Sequence, residues 1–458
     1  MVDAHGRVVL EHGVDIVHKI APFYPNNFSA HDARFLANEG FTAARIGFIW
    51  AGVEPRPGHY DDAYIKKVVA FNNLLAQYGI RTLVDFHQDL WSASAGGDGA
   101  PAWATLGGNF LDDFQDFWDN DRASDGVGIQ THFIRAWRHV VRMLDRSAGA
   151  ANVLGLDPFN EPYAGTDSGC APFTPCPQFE SGELAAFYGR VIAALRAAGD
   201  RHVIFPEGIA QNGIAAPSLP KYNDPRMGFT FHYYCPITQN ATSSSPADAG
   251  CHPYEQHGVG NFVSYADRLD VPSLLGEFSC NDADDDNAAM VDLADQKLVS
   301  WTIWMYYTYK QDPANCPGQG LLVNDAKPGS EKNAKQAKLD AIVVPYPQAI
   351  AGTPESYAFD RASDTMTLTY RAKAVPGASL ARGAMTQIFV PARTYPHGYR
   401  VHAIGARVIS APTSPWVELV ATPGASVRLT ITPARHSRTR RPLDVWRPTR
   451  AAFRPARY

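Results

Sequence analysis

Residues Val153-Leu154-Gly155-Leu156-Asp157-Pro158-Phe159-Asn160-Glu161-Pro162 read as a short apolar strand that ends in a carboxylate. A second stretch, Val271-Pro272-Ser273-Leu274-Leu275-Gly276-Glu277-Phe278, follows the same pattern. An ionised carboxylate at the mouth of a buried strand is costly to desolvate, so it needs a partner or a task. A salt-bridged structural glutamate explains either one alone; the same ending on two strands of one sheet favours a site.

Working outward, residues 13–340 alternate short β-rich runs with longer amphipathic stretches. The runs are 14–18, 43–48, 81–86, 153–159, 202–206, 228–232, 273–277 and 300–306. Helical spacing marks 63–78 and 183–198, where Leu184, Phe187, Tyr188, Val191 and Leu195 share one face. Eight strands alternating with helices predict an α/β fold, a (β/α)8 TIM barrel, with Glu161 on strand four and Glu277 on strand seven. An open doubly wound sheet is the competitor, but no strand–GxGxxG–helix unit supports it. The texture changes near 345: the segments 365–371, 386–390, 399–404 and 426–432 alternate apolar and polar residues between Pro and Gly, as in a small antiparallel β-sandwich. The expected domains are a catalytic barrel over 1–344, a sandwich over 345–433 and a tail over 434–458. The tail carries eight arginines against one acid, Asp444, and reads as a disordered, solvated segment.

A net charge of −5 gives no reason to expect nucleic-acid binding. No run of 18 apolar residues is present, and Met1-Val2-Asp3-Ala4-His5-Gly6 lacks the basic and apolar regions of a signal peptide. Cys170, Cys176, Cys235, Cys251, Cys280 and Cys316 lie in loop-like sequence without C-x-x-C spacing. They are expected to form disulfides, with Cys170–Cys176 the clearest pair, and hence to belong to a secreted or envelope-associated protein. Nine Trp and twenty Tyr lean toward sugar stacking, although a core would also use such rings.

Active sites of (β/α)8 barrels lie at the C-terminal ends of the strands. Those ends carry His18-Lys19, Arg45, His87-Gln88-Asp89, Asn160-Glu161, Glu207, His232-Tyr233-Tyr234, Glu277 and Trp304. With Glu161 and Glu277, the set Arg45, His87, Asn160, His232, Tyr234 and Trp304 resembles glycoside hydrolase family 5, of the large retaining clan. The resemblance runs over about residues 10–340 and is closer still to the endoglycoceramidases. It is carried by Gly13-Val14-Asp15-Ile16-Val17-His18-Lys19, Gly52-Val53-Glu54-Pro55 and Asp85-Phe86-His87-Gln88-Asp89. Gly97-Asp98-Gly99-Ala100-Pro101-Ala102-Trp103-Ala104 and Phe231-His232-Tyr233-Tyr234-Cys235 extend it.

The resemblance implies a retaining glycosidase with Glu161 as acid/base and Glu277 as nucleophile. It further implies Asn160 as donor to the sugar 2-hydroxyl, Tyr234 and Arg45 beside Glu277, His232 beside the acid and Trp304 under the reacting sugar. Lys19, His87 and Asp89 are expected to grip the first sugar; alone, each could be a strand-end, core or turn-capping residue. Trp118 is either a platform for a distal sugar or a core ring, and Glu207 is a reserve acid. The chemistry requires no cofactor, and no zinc pattern such as H-E-x-x-H occurs. The implied substrate is a glycosphingolipid at a membrane or micelle surface, cut by a monomer, with apolar loops 209–219 and 20–28 as walls for its lipid. The alternatives are a family 5 enzyme on a soluble β-glucan, β-mannan or β-glucoside, and a non-catalytic glycolipid-binding protein.

Overall fold

The apolar runs pair in parallel, each flanked by a helix that turns its apolar stripe inward. In the computed structural model β1 is Val8–Val9, β2 His12–Ile16, β3 Ala43–Ile49 and β4 Arg81–His87. β5 is Val153–Asp157, β6 Phe229–Tyr233, β7 Ser273–Phe278 and β8 Ser300–Ile303. The structure describes residues 1–434 except 172–173, 211–212, 309–315 and 317. The arginine-rich tail from 435 onward lies outside the described residues.

Strands β2 to β8 form one parallel sheet in the order β5-β4-β3-β2-β8-β7-β6. The segment expected as the fifth strand, 202–206, makes only single bridges, Ile204 to Leu156 on one side and to Met227 on the other. Pro206 has no N–H and interrupts the ladder, which resumes where Glu207 bridges Thr230. Hydrogen bonds nevertheless run to both neighbours, from Leu156 N to Val203 O (2.8 Å) and from Gly228 N to Ile204 O (2.8 Å), so the ring closes. Strand ends also moved: 14–18 became His12–Ile16 and 300–306 became Ser300–Ile303. Leu83, Leu154, Val203, Phe205 and Leu274 pack together as an apolar floor inside the barrel.

The helix Ile129–Asp145 shows why the outer layer forms. Ile129, Phe133, Trp137, Val140 and Leu144 are buried on one stripe, at the i, i+4, i+7 spacing a core-facing helix needs. Its neighbour Asp62–Gln77 begins where the Asp61 carboxylate accepts the N–H groups of Ala63 (2.9 Å) and Tyr64 (3.0 Å).

Beyond the barrel come β9 (Tyr346–Ile350), β10 (Thr353–Asp360), β11 (Thr365–Arg371), β12 (Thr386–Phe389), β13 (Tyr399–Ile404), β14 (Ala406–Val408), β15 (Trp416–Ala421) and β16 (Ser426–Pro433). They make two antiparallel sheets, β1-β9-β12-β15-β14 and β10-β11-β16-β13. Alternation sets the inner face: Met366, Leu368 and Tyr370 of β11 meet Val427, Leu429 and Ile431 of β16. The N-terminal β1 is an edge strand of this sandwich, paired antiparallel with β9. The two layers are locked where His12 of β2 stacks between Trp301 and Tyr346 and bonds Asp295 (2.9 Å). All three disulfides sit in the barrel's loops: Cys170–Cys176, Cys235–Cys251 and Cys280–Cys316.

Candidate active site

Inside the mouth of the barrel, four strands contribute charge at one level. Asp15 (β2) lies opposite Arg45 (β3), and Asp85 (β4) opposite Asp157 (β5), all fully buried. The guanidinium is the hub. It donates to Asp157 (2.9 and 3.2 Å), to Asn160 Oδ1 (2.6 Å) and to Glu277 Oε1 (2.6 Å), and lies 3.1 Å from Asp85 and 3.6 Å from Asp15. Burial works against its charge, but Asp85, Glu277, Asp157 and Asp15 together hold it protonated well beyond the ordinary range. Burial pushes Asp157 up to about 7 and Asp15 well above the usual carboxylate range, because one cation cannot keep all of its neighbours ionised.

Glu277 faces this hub because β7 is irregular. Leu274 points to the barrel floor, and a strict two-residue period would turn the residue three positions on to the opposite face. The register shifts between Leu275 and Glu277, and the extra residue is Gly276. A Cβ there would stand 2.6 Å from Thr230 Oγ1 and 3.0 Å from His232 Nε2. The Glu277 carboxylate thus accepts from Arg45 at one oxygen and from the Tyr234 hydroxyl (2.6 Å) at the other.

Glu161 approaches from the opposite wall in a left-handed turn, φ +43°. Gln88 holds that turn, donating to the carbonyls of Asn160 (2.8 Å) and Glu161 (2.7 Å), while Asn160 Nδ2 returns a bond to the Gln88 carbonyl (2.8 Å). His232 Nδ1 is 2.9 Å from Glu161 Oε1 and 3.5 Å from Glu277 Oε2. Burial pulls His232 down to about 4, so near neutrality the ring carries one proton. His232 Nε2 is buried without a hydrogen-bond partner, and an orphaned acceptor is tolerated better than an orphaned donor. The tautomer protonated at Nδ1 is the one that gives the ring's N–H a partner, at Glu161 Oε1. Burial, with the charge of Asp89 adding to it, pushes Glu161 up to about 7.

Each of these two carboxyls has an oxygen within 4.8 Å of one on the other. Retaining glycosidases hold their pair about 5–5.5 Å apart and inverting ones about 6.5–9.5 Å, so this spacing belongs to the retaining geometry.

The remaining expected residues assemble on one side. The Lys19 ammonium pairs with Asp89 and sits 4.6 Å over the Trp304 ring. Trp304 stacks on His87 (5.3 Å between centroids, 11° apart), and its indole N–H donates to Gln319 (3.0 Å). His87 bonds Asp85 (2.8 Å); burial opposes its charge, but Asp85 and Asp89 hold it protonated well above the usual imidazole range. Burial also opposes the charge on Asp89, yet Lys19 and His87 keep it ionised far below the usual range. Three potential ligand atoms converge at His87-Asp89-Asp98 and again at Glu161-His232-Glu277. Lys19 already pairs with Asp89 and Arg45 with Glu277 in these sets.

Trp118 is not part of the site. It belongs to the helix Phe110–Asp119 and is buried among Phe114, Phe117, Phe159, Phe179 and Phe187, with its indole N–H on the Tyr163 carbonyl (3.0 Å). The i, i+4 pair Phe114 and Trp118 faces the barrel, so no sugar can reach the ring. Sequence reasoning assigned no role to Asp15, Asp85, Asp157, Gln88 or Gln319. A carboxylate inside an apolar run, as in Val14-Asp15-Ile16 and Val84-Asp85-Phe86, was the available signal.

Glu161, Glu277, Lys19, Asp89, His232, Tyr234 and Trp304 all line one cavity of about 590 Å³. Apolar side chains line the same cavity: Ile209, Ile214, Phe231, Tyr233, Pro236 and Phe262. The loop bearing Ile209 is held by Glu180, whose carboxylate accepts the N–H groups of Ile209 (2.9 Å) and Ser218 (2.7 Å). The second expected apolar wall, 20–28, does not line the cavity; Phe28 packs instead on Phe71 and Tyr306.

Residues 2–310 match the family model described as cellulase (glycosyl hydrolase family 5), and residues 345–431 that of the glycoside hydrolase family 5 C-terminal domain. The chain is 28% identical over 455 residues to endoglycoceramidase I of Rhodococcus hoagii (strain 103S), covering 92% of this chain and 84% of the relative. It is 26% identical over 424 residues to the endoglycoceramidase of Cyanea nozakii, covering 81% and 79%. Among solved structures, endo-glycoceramidase II from Rhodococcus sp. in a five-membered iminocyclitol complex superposes with a TM-score of 0.75 at 26% identity, over 95% of this chain and 99% of that one. Its ganglioside GM3 complex gives 0.74 at 25% identity, with the same coverage. A match that runs through the barrel and then the sandwich, to relatives of similar length, places this chain in glycosyl hydrolase family 5.

Proposed function

We propose that this protein is an endoglycoceramidase, hydrolysing the β-glycosidic bond between the oligosaccharide and the ceramide of glycosphingolipids with retention. The observation that carries the substrate is the mixed lining of one cavity. Charged groups and the Trp304 ring, suited to sugar hydroxyls, share it with the two carboxylates and with apolar side chains suited to a lipid. The similarity to endoglycoceramidases over most of the chain supports the same reading.

In the first step Glu277 attacks the anomeric carbon while Glu161 protonates the departing oxygen, so the C–O bond to the lipid breaks as the glycosyl ester forms. Water then attacks the ester with Glu161 as base, which returns Glu161 to its protonated state. Asn160, fixed by Arg45 and Gln88, offers an amide proton to the sugar 2-hydroxyl. Lys19, Asp89 and His87 take the other hydroxyls, with Trp304 as the floor.

Because Glu161 donates only when protonated and lies near 7, kcat/KM on substrates with poor leaving groups is expected to fall as pH rises through about 7. A basic limb centred near an ordinary glutamate value would contradict this assignment. Burial separates this carboxyl from its ordinary range, so the limb should return toward that range where the wall beside Glu161 is opened to water.

The protein works at a lipid surface. Among the described residues of the barrel the exposed large apolar ones are Ile20, Leu106, Ile214, Ile237, Tyr254 and Val323, and each follows the C-terminal end of a strand or of the bridged segment 202–206, on the face that carries the site. Three disulfides suit a secreted or envelope-associated protein. The test is incubation with a panel of glycosphingolipids in detergent and in vesicles, separating released glycan from ceramide. Intact glycan release is expected, and the variant Ile237→Ser/Tyr254→Ser should lose rate on vesicles more than in detergent. Cleavage of a soluble β-glucan with no release from any glycolipid would sink the proposal; equal losses in both formats would sink the surface role.

A further inference from the structure

Glu207 is a fourth carboxyl lining the catalytic cavity, beside Asp89, Glu161 and Glu277, and the mechanism above leaves it without a task. It ends the segment that closes the barrel, with Glu207 bridged to Thr230 of β6, and only 4% of its surface is exposed. Its Oε2 accepts the main-chain N–H of Glu161 at 2.9 Å. Its Oε1 lies 3.5 Å from His232 Nδ1, the nitrogen that also faces Glu161 and Glu277. Its own main chain is fixed by a single side chain: the Tyr188 hydroxyl donates to the Glu207 carbonyl (3.0 Å) and accepts from its N–H (3.2 Å).

We infer that Glu207 is a positioning residue for the acid/base, holding the Glu161 main chain in the turn that aims the Glu161 carboxyl across the cavity at Glu277. The turn needs such a hold. Glu161 lies in the left-handed region, which is strained for a non-glycine residue, and its two polar main-chain groups are both engaged. Gln88 takes the carbonyl and Glu207 takes the N–H. A main chain pinned at both groups fixes the direction in which the Glu161 Cα–Cβ bond leaves it. The groups facing Glu207 are Asp157, Glu161, His232, Tyr188 and Arg45. Burial, with the charges of Asp157 and Glu161 adding to it, holds the Glu207 carboxyl well above the usual range, so it serves as a neutral acceptor. A neutral amide can do the same.

This inference rests on Glu161 being the acid/base, and the test separates the two. Three variants, Glu207→Gln, Glu207→Leu and Glu207→Ala, are compared with Glu161→Gln on two substrates. One is a glycolipid, whose alkoxide leaving group needs a proton. The other is a dinitrophenyl β-glycoside of the same glycan, whose leaving group does not. The expected kcat/KM for Glu207→Leu and Glu207→Ala is roughly a hundredfold lower on the glycolipid, at the lower end of what a general acid contributes, and nearly unchanged on the aryl glycoside. Glu207→Gln should stay close to the parent on both, since its amide oxygen accepts the same N–H. Equal losses on both substrates for Leu and Ala would mean a merely structural role and would overturn the inference, as would no loss on either. A loss for Glu207→Gln as deep as that for Glu161→Gln would make Glu207 itself a proton donor and also overturn it. If Glu161→Gln fails to discriminate between the substrates, the acid/base assignment falls first.

Discussion

Glu277→Gln is expected to abolish turnover on every substrate while leaving the fold intact. An amide cannot attack the anomeric carbon, so no glycosyl ester forms and even an activated leaving group gains nothing. The loss should be roughly 10⁴-fold or more in kcat, the scale on which a covalent catalytic unit fails when one member is removed. The amide oxygen can still accept from Arg45 where the carboxylate did at 2.6 Å, and Tyr234 can turn its hydroxyl to accept from the new amide. Arg45 also keeps its contacts with Asp157 and Asp85. Thermal melting should therefore remain near the parent. A variant keeping more than a tenth of parental kcat on an aryl β-glycoside would remove Glu277 from the nucleophile's role.

Arg45→Met is expected to be the most damaging change to stability and to end activity as well. The guanidinium is fully buried and contacts Asp15, Asp85, Asp157, Asn160 and Glu277 at once. Removing one partner of a buried pair costs about 3–5 kcal/mol, because the charge left behind has neither water nor a counterion. Here several carboxyls are left behind together. They respond by binding protons, so the folded variant takes up more protons than the unfolded chain does near neutrality. Its stability deficit should therefore shrink as pH falls, and urea melts at two pH values read this directly. Arg45→Lys should fall between: a point charge can neutralise one neighbour but cannot fork to Asp157, Asn160 and Glu277 together. A deficit below about 1 kcal/mol for Arg45→Met, constant with pH, would show that the network is not held by charge.

These two experiments address residues that were legible to different degrees. Glu277 was visible in one dimension, since an apolar run that stops at a carboxylate marks a strand end. Seven of the eight expected strands formed, because their apolar runs are buried on both sides by the barrel and its helices. The segment 202–206 held its place but kept only bridges, because Pro206 cannot donate to a ladder. Trp118 shows the converse. Helical spacing told which residues share its face, but not whether that face looks at sugar or at the Phe cluster beneath Tyr163. That depends on how the loop after β5 folds over it.

The sequence by itself determined the barrel, the sandwich, the strand ends that bring Glu161 and Glu277 together and most of the polar residues around them. These follow from periodicity, from the penalty on burying a carboxylate without purpose, and from a resemblance spread over several strand ends. Tertiary structure alone decided how those groups share charge and protons. The bulge at Gly276 turns Glu277 onto Arg45, and His232 Nδ1 comes within 3.5 Å of Glu161, Glu207 and Glu277 alike. Glu207 meets the Glu161 main chain across a gap of 46 residues. Charge coupling falls off with distance in space and rises steeply in a dry interior, and neither distance nor dryness is written along the chain.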